Sequence, residues 1–210
     1  MTPPMKPLWS VTSKPSVRSG RSLATWEMGV QMVELVSLEA FSPDQHGEML
    51  AEWLRAPHVA RWWGEPATQL EAALRRPVAG GDALIVADGA PVGYIRWEQP
   101  PREQLEAAGL SELPAGTVDI DIAIGEADYL GRGIGPRALG EVIERLTADQ
   151  AVPAITLATS VENAAAIRAF EKAGFRRRRT FEYAEYGVMW LLQWEGAVEQ
   201  EHEADSAQPM

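Results

Sequence analysis

Residues 117–146, TVDIDIAIGEADYLGRGIGPRALGEVIERL, constrain this chain more than any other stretch. Val118, Ile120, Ile122 and Ile124 alternate with Thr117, Asp119, Asp121 and Ala123, the two-residue period of a strand with one face in a core. Leu130-Gly131-Arg132-Gly133-Ile134-Gly135 follows, and an apolar stripe then reads as a helix to about Ala148. Glycines let backbone N–H groups crowd around an anion, and a helix N-terminus adds positive potential. A ligand bearing a phosphate or pyrophosphate is therefore expected at 131–135. The spacing is neither the dinucleotide-binding G-x-G-x-x-G nor the Gly-Lys-Ser/Thr of a P-loop. A tight strand-to-helix turn alone would also call for these glycines.

The rest of the chain alternates strands and helices. Val33–Leu38 reads as a strand. Ser42 and Pro43 open a helix over 43–54, with Met49, Leu50, Trp53 and Leu54 as its apolar stripe. A helical segment His58–Trp63 stops at Gly64, and 67–76 is helical again. Ala83–Ala87 and Pro91–Trp97 are strands joined by Asp88-Gly89, a hairpin signal. Residues 99–116 look irregular, with one helical turn. Ile155–Thr159 is a strand and Asn163–Ala173 a helix ended by Gly174. Phe175–Phe181 and Val188–Trp194 close the fold. The sum is an α/β (α+β) domain over 33–194, a mixed sheet with helices on both faces.

Composition narrows the partners. Residues 1–32 are rich in Pro, Ser and Gly and read as a flexible extension; 195–210 read as an acidic flexible tail. The net charge is −11, and the termini nearly cancel, so the acidity belongs to the folded part. That argues against nucleic acid, whose phosphates need a cationic surface, and suits a cationic ligand. Cysteine is absent, which excludes thiol nucleophiles and disulfides. The three histidines are scattered and give no metal spacing. No apolar run reaches the ~18–20 residues that span a bilayer, and no secretory leader is legible, so a cytoplasmic protein is expected.

A second motif lies about thirty residues beyond the glycine loop: Asn163-Ala-Ala-Ala-Ile167-Arg-Ala-Phe170-Glu-Lys-Ala-Gly174-Phe175. Together, in this order, the two resemble the acetyl-CoA site of the GNAT N-acetyltransferase superfamily. The resemblance covers roughly residues 33–194 and implies a largely antiparallel GNAT sheet with acetyl-CoA as cosubstrate. It further implies that Leu130, Gly131, Arg132, Gly133, Ile134 and Gly135 cradle the CoA pyrophosphate. Asn163 would bond the pantetheine arm, and the helix bearing Phe170 would wall the cleft. Read without the resemblance, Asn163 is a helix N-cap and Gly174-Phe175 a helix stop before a core aromatic.

Within the superfamily, His58-Val-Ala-Arg-Trp62-Trp63-Gly64 and Asp119-Ile-Asp121 look like the aminoglycoside 6′-N-acetyltransferases. The resemblance implies that Trp62 and Trp63 line the acceptor pocket, that Asp121 is the base, and that Glu185 is a further acidic contact. Two departures stand out. That family often has an Asp-Pro pair shortly before the Asn, where this chain reads Ala158-Thr159-Ser160-Val161-Glu162. It often has a tyrosine at the place of Phe170.

Chemistry sets the other roles. An ammonium has no lone pair, so amine acetylation needs a carboxylate that holds the cation and takes its proton. Asp119 and Asp121 project from one strand face, and two like charges that close raise at least one pKa. Backbone N–H groups of Ile122, Ala123 and Ile124 would meet negative charge on the acyl oxygen. Without cysteine, direct transfer in a ternary complex is expected. With Phe170 in place, water, Tyr183 or Tyr186 would protonate the thiolate. Arg176–Arg179 lie in a strand with alternate arginines on opposite sides, where they balance the acidic body or meet the CoA 3′-phosphate. The expected acceptor is a small cationic amine. An aminoglycoside, a siderophore precursor and a lysine-like or peptide amine are all open, as is a silent acyl-CoA-binding module. A monomer or a homodimer is expected.

Overall fold

The computed structural model describes residues 33–195 apart from 76, 78, 149–151 and 184–185. The extension, all of the acidic tail except Glu195, and Glu185 lie outside the described residues. Seven strands form one sheet: β1 (Val36–Ala40), β2 (Gly80–Ala87), β3 (Ala90–Glu98), β4 (Val118–Ile124), β5 (Ile155–Ser160), β6 (Phe175–Tyr183) and β7 (Gly187–Trp194). Their order is β1-β2-β3-β4-β5-β7-β6, and every neighbouring pair is antiparallel except β4 and β5.

Six α-helices cover both faces. α1 (Pro43–Arg55), α2 (Pro57–Trp63) and α3 (Pro66–Leu74) pack on one face of the β1–β4 half. Their cluster buries Phe41, Leu50, Trp53 and Leu54 against Leu84, Val86 and Tyr94. α4 (Arg102–Ala107) covers Met189, Leu191 and Phe181 of the other half. α5 (Ile134–Ala148) and α6 (Ala164–Lys172) lie on the opposite face, over Ile85, Ile95, Ile120, Leu157 and Leu192. These apolar positions alternate along their strands, so each face of the sheet finds its own helical layer. Among the described residues no helix is long and apolar enough to cross a membrane.

Local chemistry accounts for the element ends. Asp88 (φ 49°) and Gly89 (φ 83°) form the two-residue turn of the β2–β3 hairpin, where both positions need positive φ. β1 starts at Val36 rather than Val33, because side chains take the preceding backbone groups. Asp88 accepts from the Glu34 and Leu35 N–H groups, and Arg137 donates to the Val33 and Glu34 carbonyls. At the start of α1 the Ser42 side chain makes no cap; the Ser42 N–H instead donates to His46 Nδ1 at 3.0 Å. α5 begins at Ile134, after the glycine turn rather than within it.

The feature that shapes the site is the join between β4 and β5. Only Val118↔Ile155 and Asp119↔Thr156 pair; beyond them the strands splay. The Val118 N–H donates to Ala154 on the β5 side, and the Gly125 N–H donates to Val92 on the β3 side. By strand alternation, Ile120, Ile122 and Ile124 therefore turn their backbone polar groups into the splay.

Candidate active site

A cavity of about 540 Å³ fills the splay. Its wall takes Ile120, Ile122, Ile124, Thr159 and Phe170 from the α5–α6 side of the sheet. Asp121, Ala123, Ala158 and Met189 come from the other side, so it runs through the sheet from face to face. Such a passage lets two reactants approach one point from opposite sides.

One mouth is built from backbone. Gly131 (φ +74°) and Gly133 (φ +75°) hold conformations that side chains rarely adopt, and both line the cavity with Leu130 and Gly135. α5 begins here, so its unpaired N–H groups point at the opening. Neither Arg132 nor Ile134 lines the cavity. Ile134 is buried in the core, and the Arg132 guanidinium stacks over the Tyr129 ring at 5.0 Å. Tyr129 itself is on the wall, with Arg168 and Lys172 of α6. The loop is anchored from behind: Trp53 Nε1 donates to Glu126 at 2.8 Å, and a Cβ at Gly125 would lie 2.1 Å from the Trp53 ring. Asn163 is buried and on the wall; its Oδ1 caps α6 by accepting from the Ala166 N–H at 3.1 Å. The helix-cap reading of Asn163 holds, and the same side chain faces the cavity. Phe170 is buried between core and cavity.

α2 supplies the opposite wall. Trp62 and Trp63 both line the cavity and both are half-buried, so neither is consumed by the core. Trp63 Nε1 donates to the Ile122 carbonyl at 3.2 Å, and its ring meets Tyr94 edge-on at 6.4 Å. His58 Nε2 lies 3.0 Å from the Ile124 carbonyl. Those two carbonyls are taken by α2, and the Ile122 and Ile124 N–H groups turn into the splay beside them. A lone histidine in the sequence gave no hint of this contact, because its partner is 66 residues away.

A charged cluster underlies the α2 side. Across the β3–β4 ladder Arg96 pairs with Asp121 and Glu98 with Asp119, and all four are on the α1–α3 face. Arg96 Nη2 donates to the Glu98 carboxylate and Nη1 to the Ala72 carbonyl of α3. Thr156 Oγ1 donates to Asp119 at 2.9 Å. Asp121 lines the cavity; Asp119 lies beside it but off the wall. Burial pushes the Asp121 carboxyl up to about 7, with Arg96 pulling it down and Glu98 adding to the rise. Asp119 is held well above the usual carboxylate range by burial and by Asp121, against the Thr156 hydrogen bond. Both are half-buried by surface area, Asp121 opening on the cavity, and burial is the largest cause of both shifts. Burial and the nearby Asp82 carboxylate keep the Tyr94 phenol in its neutral form.

Several expectations change. Tyr183 and Tyr186 stack on each other at 5.1 Å, and Tyr186 is buried in the α4 cluster rather than on the cavity wall. The phenol on that wall is Tyr129. The arginine run does not alternate regularly, because the β6–β7 register shifts between Arg177 and Arg179. Each arginine has an acidic partner: Arg176 and Arg178 meet Glu195, Arg177 meets Glu171, and Arg179 meets Glu112. The stripe balances the protein's own carboxylates.

The sequence pattern of the "Acetyltransferase (GNAT) domain" matches residues 42–183. The chain is similar to aminoglycoside N(6′)-acetyltransferase type 1 of Klebsiella pneumoniae, at 28% identity over 171 residues, 72% of this chain and 79% of that one. Its fold superposes on AAC(6′)-Ib in complex with paromomycin and acetyl-CoA, with a TM-score of 0.65, 26% identity, and coverage of 82% of this chain and 100% of that one. AAC(6′)-Ib with coenzyme A and kanamycin gives a TM-score of 0.63 at 26% identity, over 77% and 95% of the two chains. A splayed β4–β5 pair, a glycine turn feeding a helix N-terminus and this match over most of the sheet lead to one assignment. The chain belongs to the GNAT acetyltransferases, acyltransferases that take acetyl-CoA as cosubstrate.

Proposed function

We propose that the chain acetylates a primary amine of a small cationic acceptor, with the 6′-amine of an aminoglycoside as the first candidate, by direct transfer with Asp121 as base. The observation that carries this reading is the place of Asp121. Among the described residues it is the one carboxylate on the cavity wall, and it faces the acceptor side of a passage whose other mouth is a glycine turn. Acetyl-CoA brings an activated thioester; the chain supplies orientation and proton transfer. The N–H groups at Gly131–Gly135 and the start of α5 suit a pyrophosphate, and the amide of Asn163 and the apolar Phe170 and Ala166 suit the arm that follows it. The Ile122 and Ile124 N–H groups suit an acyl oxygen gaining charge.

On the other side the acceptor enters as an ammonium, which Asp121 attracts and then deprotonates. A carboxyl poised at about 7 takes a proton near neutrality without holding it too tightly. The amine attacks the acyl carbon and the C–S bond breaks; the thiolate takes a proton from water or Tyr129, because Phe170 has none to give, and the nitrogen's second proton passes to that donor or to water as the amide forms. Trp62 and Trp63 wall the acceptor side and exclude water. Glu185 is a further acidic contact for the acceptor in this reading, whereas Asp119, off the wall, bears on it only through Asp121.

One observation favours an acceptor with fewer amines than the antibiotics. Ala158 and Thr159 make the β5 wall uncharged where the 6′-N-acetyltransferases often carry an aspartate. A thiol-release assay with acetyl-CoA and a panel of aminoglycosides, diamines and lysine-like amines separates the two. Turnover on a 6′-amino aminoglycoside above that on every simple amine supports the antibiotic acceptor. Turnover confined to simple amines replaces it, and release with no acceptor in the panel rejects the cationic-amine reading.

A further inference from the structure

β3 carries one cation into the acidic cluster. Arg96 is 3% exposed, and its Cα pairs with that of Asp121 across the ladder. Its fork is pinned at two points, the Glu98 carboxylate and the Ala72 carbonyl, while Nε is buried with no partner among the described residues. Burying a guanidinium is costly unless it balances charge nearby. The surroundings of Asp121 supply that charge in excess. Glu98 faces it from β3 and Asp119 from its own strand, and Asp82 reaches the cluster from β2 through the Tyr94 ring. β5 contributes the neutral Thr156. α1 keeps Asp44, Glu48, Glu52 and Arg55 at the surface, and α3 pairs Glu71 with Arg75 there. His58 of α2 and Arg168 and Lys172 of α6 share the cavity wall.

We infer that Arg96 is a positioning residue for Asp121: its guanidinium, tied to Glu98 of β3 and to α3, fixes a positive charge across the ladder from Asp121 and holds Glu98 to itself. The catalytic consequence rests on Asp121 being the base; the electrostatic one does not. The two aspartates differ in this respect. Arg96 pulls Asp121 down, while Asp119 has no such cation and is held up by Asp121 itself. One arginine therefore places two carboxyls two residues apart in different surroundings, Asp121 with a buried cation opposite it and Asp119 without one.

The test is a carboxyl-carbon NMR titration of aspartate-labelled protein, with D121N identifying the Asp121 signal. R96Q should raise the Asp121 midpoint by about one pH unit or more, and R96K should leave it within about half a unit. E98Q should move it the opposite way, downward. In parallel, the rising limb of kcat/KM should follow each midpoint, with R96Q losing about fivefold or more near pH 7 and recovering at higher pH. An unmoved midpoint in R96Q, or R96Q and E98Q moving it in the same direction, overturns the proposal. If R96Q fails to fold, a midpoint that E98Q leaves unchanged overturns it equally. Midpoints that move as expected while D121N retains turnover would uphold the role of Arg96 and remove Asp121 as base.

Discussion

The two mouths of the cavity are built from different materials. The glycine-loop mouth is backbone: positive-φ turns at Gly131 and Gly133, the open N-terminus of α5 and the cap of α6. The β3–β4 mouth is side chain: Asp121 on the wall, backed by the Arg96–Glu98 ion pair and by Asp119 with its Thr156 hydrogen bond. A backbone cradle binds what all members of a family share, because every sequence has amides. A side-chain cluster can be re-cut residue by residue, and in the proposed reading acceptor choice belongs there.

The largest expected effect tests the side-chain mouth. Asp121→Asn should lower kcat/KM by at least about a hundredfold, the usual worth of a general base, while calorimetry finds acetyl-CoA affinity unchanged. Equal losses in both would erase the division between the mouths. Gly133→Val attacks the other one. Its φ of +75° strains any branched residue by about 1–2 kcal/mol, so acetyl-CoA should bind about tenfold more weakly with the acceptor KM little changed.

A subtler difference lies in pH. Asp119 and Asp121 are both raised, so between about 4 and about 7 the folded state binds more protons than the unfolded chain. Stability therefore falls as pH rises through that window, and melting temperatures from pH 5 to 8 should drop by a few degrees. Asp119→Asn should flatten the slope; an unaltered slope would mean the pair carries no such cost. The smallest effect is expected far from either mouth. Arg178→Ala removes an exposed pair with Glu195 and should change stability by less than about 0.5 kcal/mol in a denaturant melt.

The backbone mouth was legible in the sequence because its demands are local: a residue with positive φ next to a helix start asks for glycine, and a helix end asks for Gly174. Strand alternation turned Asp119 and Asp121 alike away from the core, and only the family resemblance singled out Asp121, the one that lines the cavity. Arg96 was not, since its meaning comes from a register that sets β3 against β4, and Thr156 likewise matters only once β5 lies beside Asp119. The hydrogen bonds of His58 and Trp63 escaped for the same reason, as their acceptors are main-chain carbonyls that no sequence pattern marks. The arginine run misled because one register shift undoes a period-two argument.

Two ladder pairs are all that stitch β4 to β5, so the sheet is nearly two sheets that share a seam. A chain of amides laid along the open edge of β4 would serve as a temporary extra strand. Occupancy should then be felt mechanically as well as chemically: the loaded protein becomes one stiff slab, and its exchange-labile amides at Ile122 and Ile124 become slow only while the guest is there.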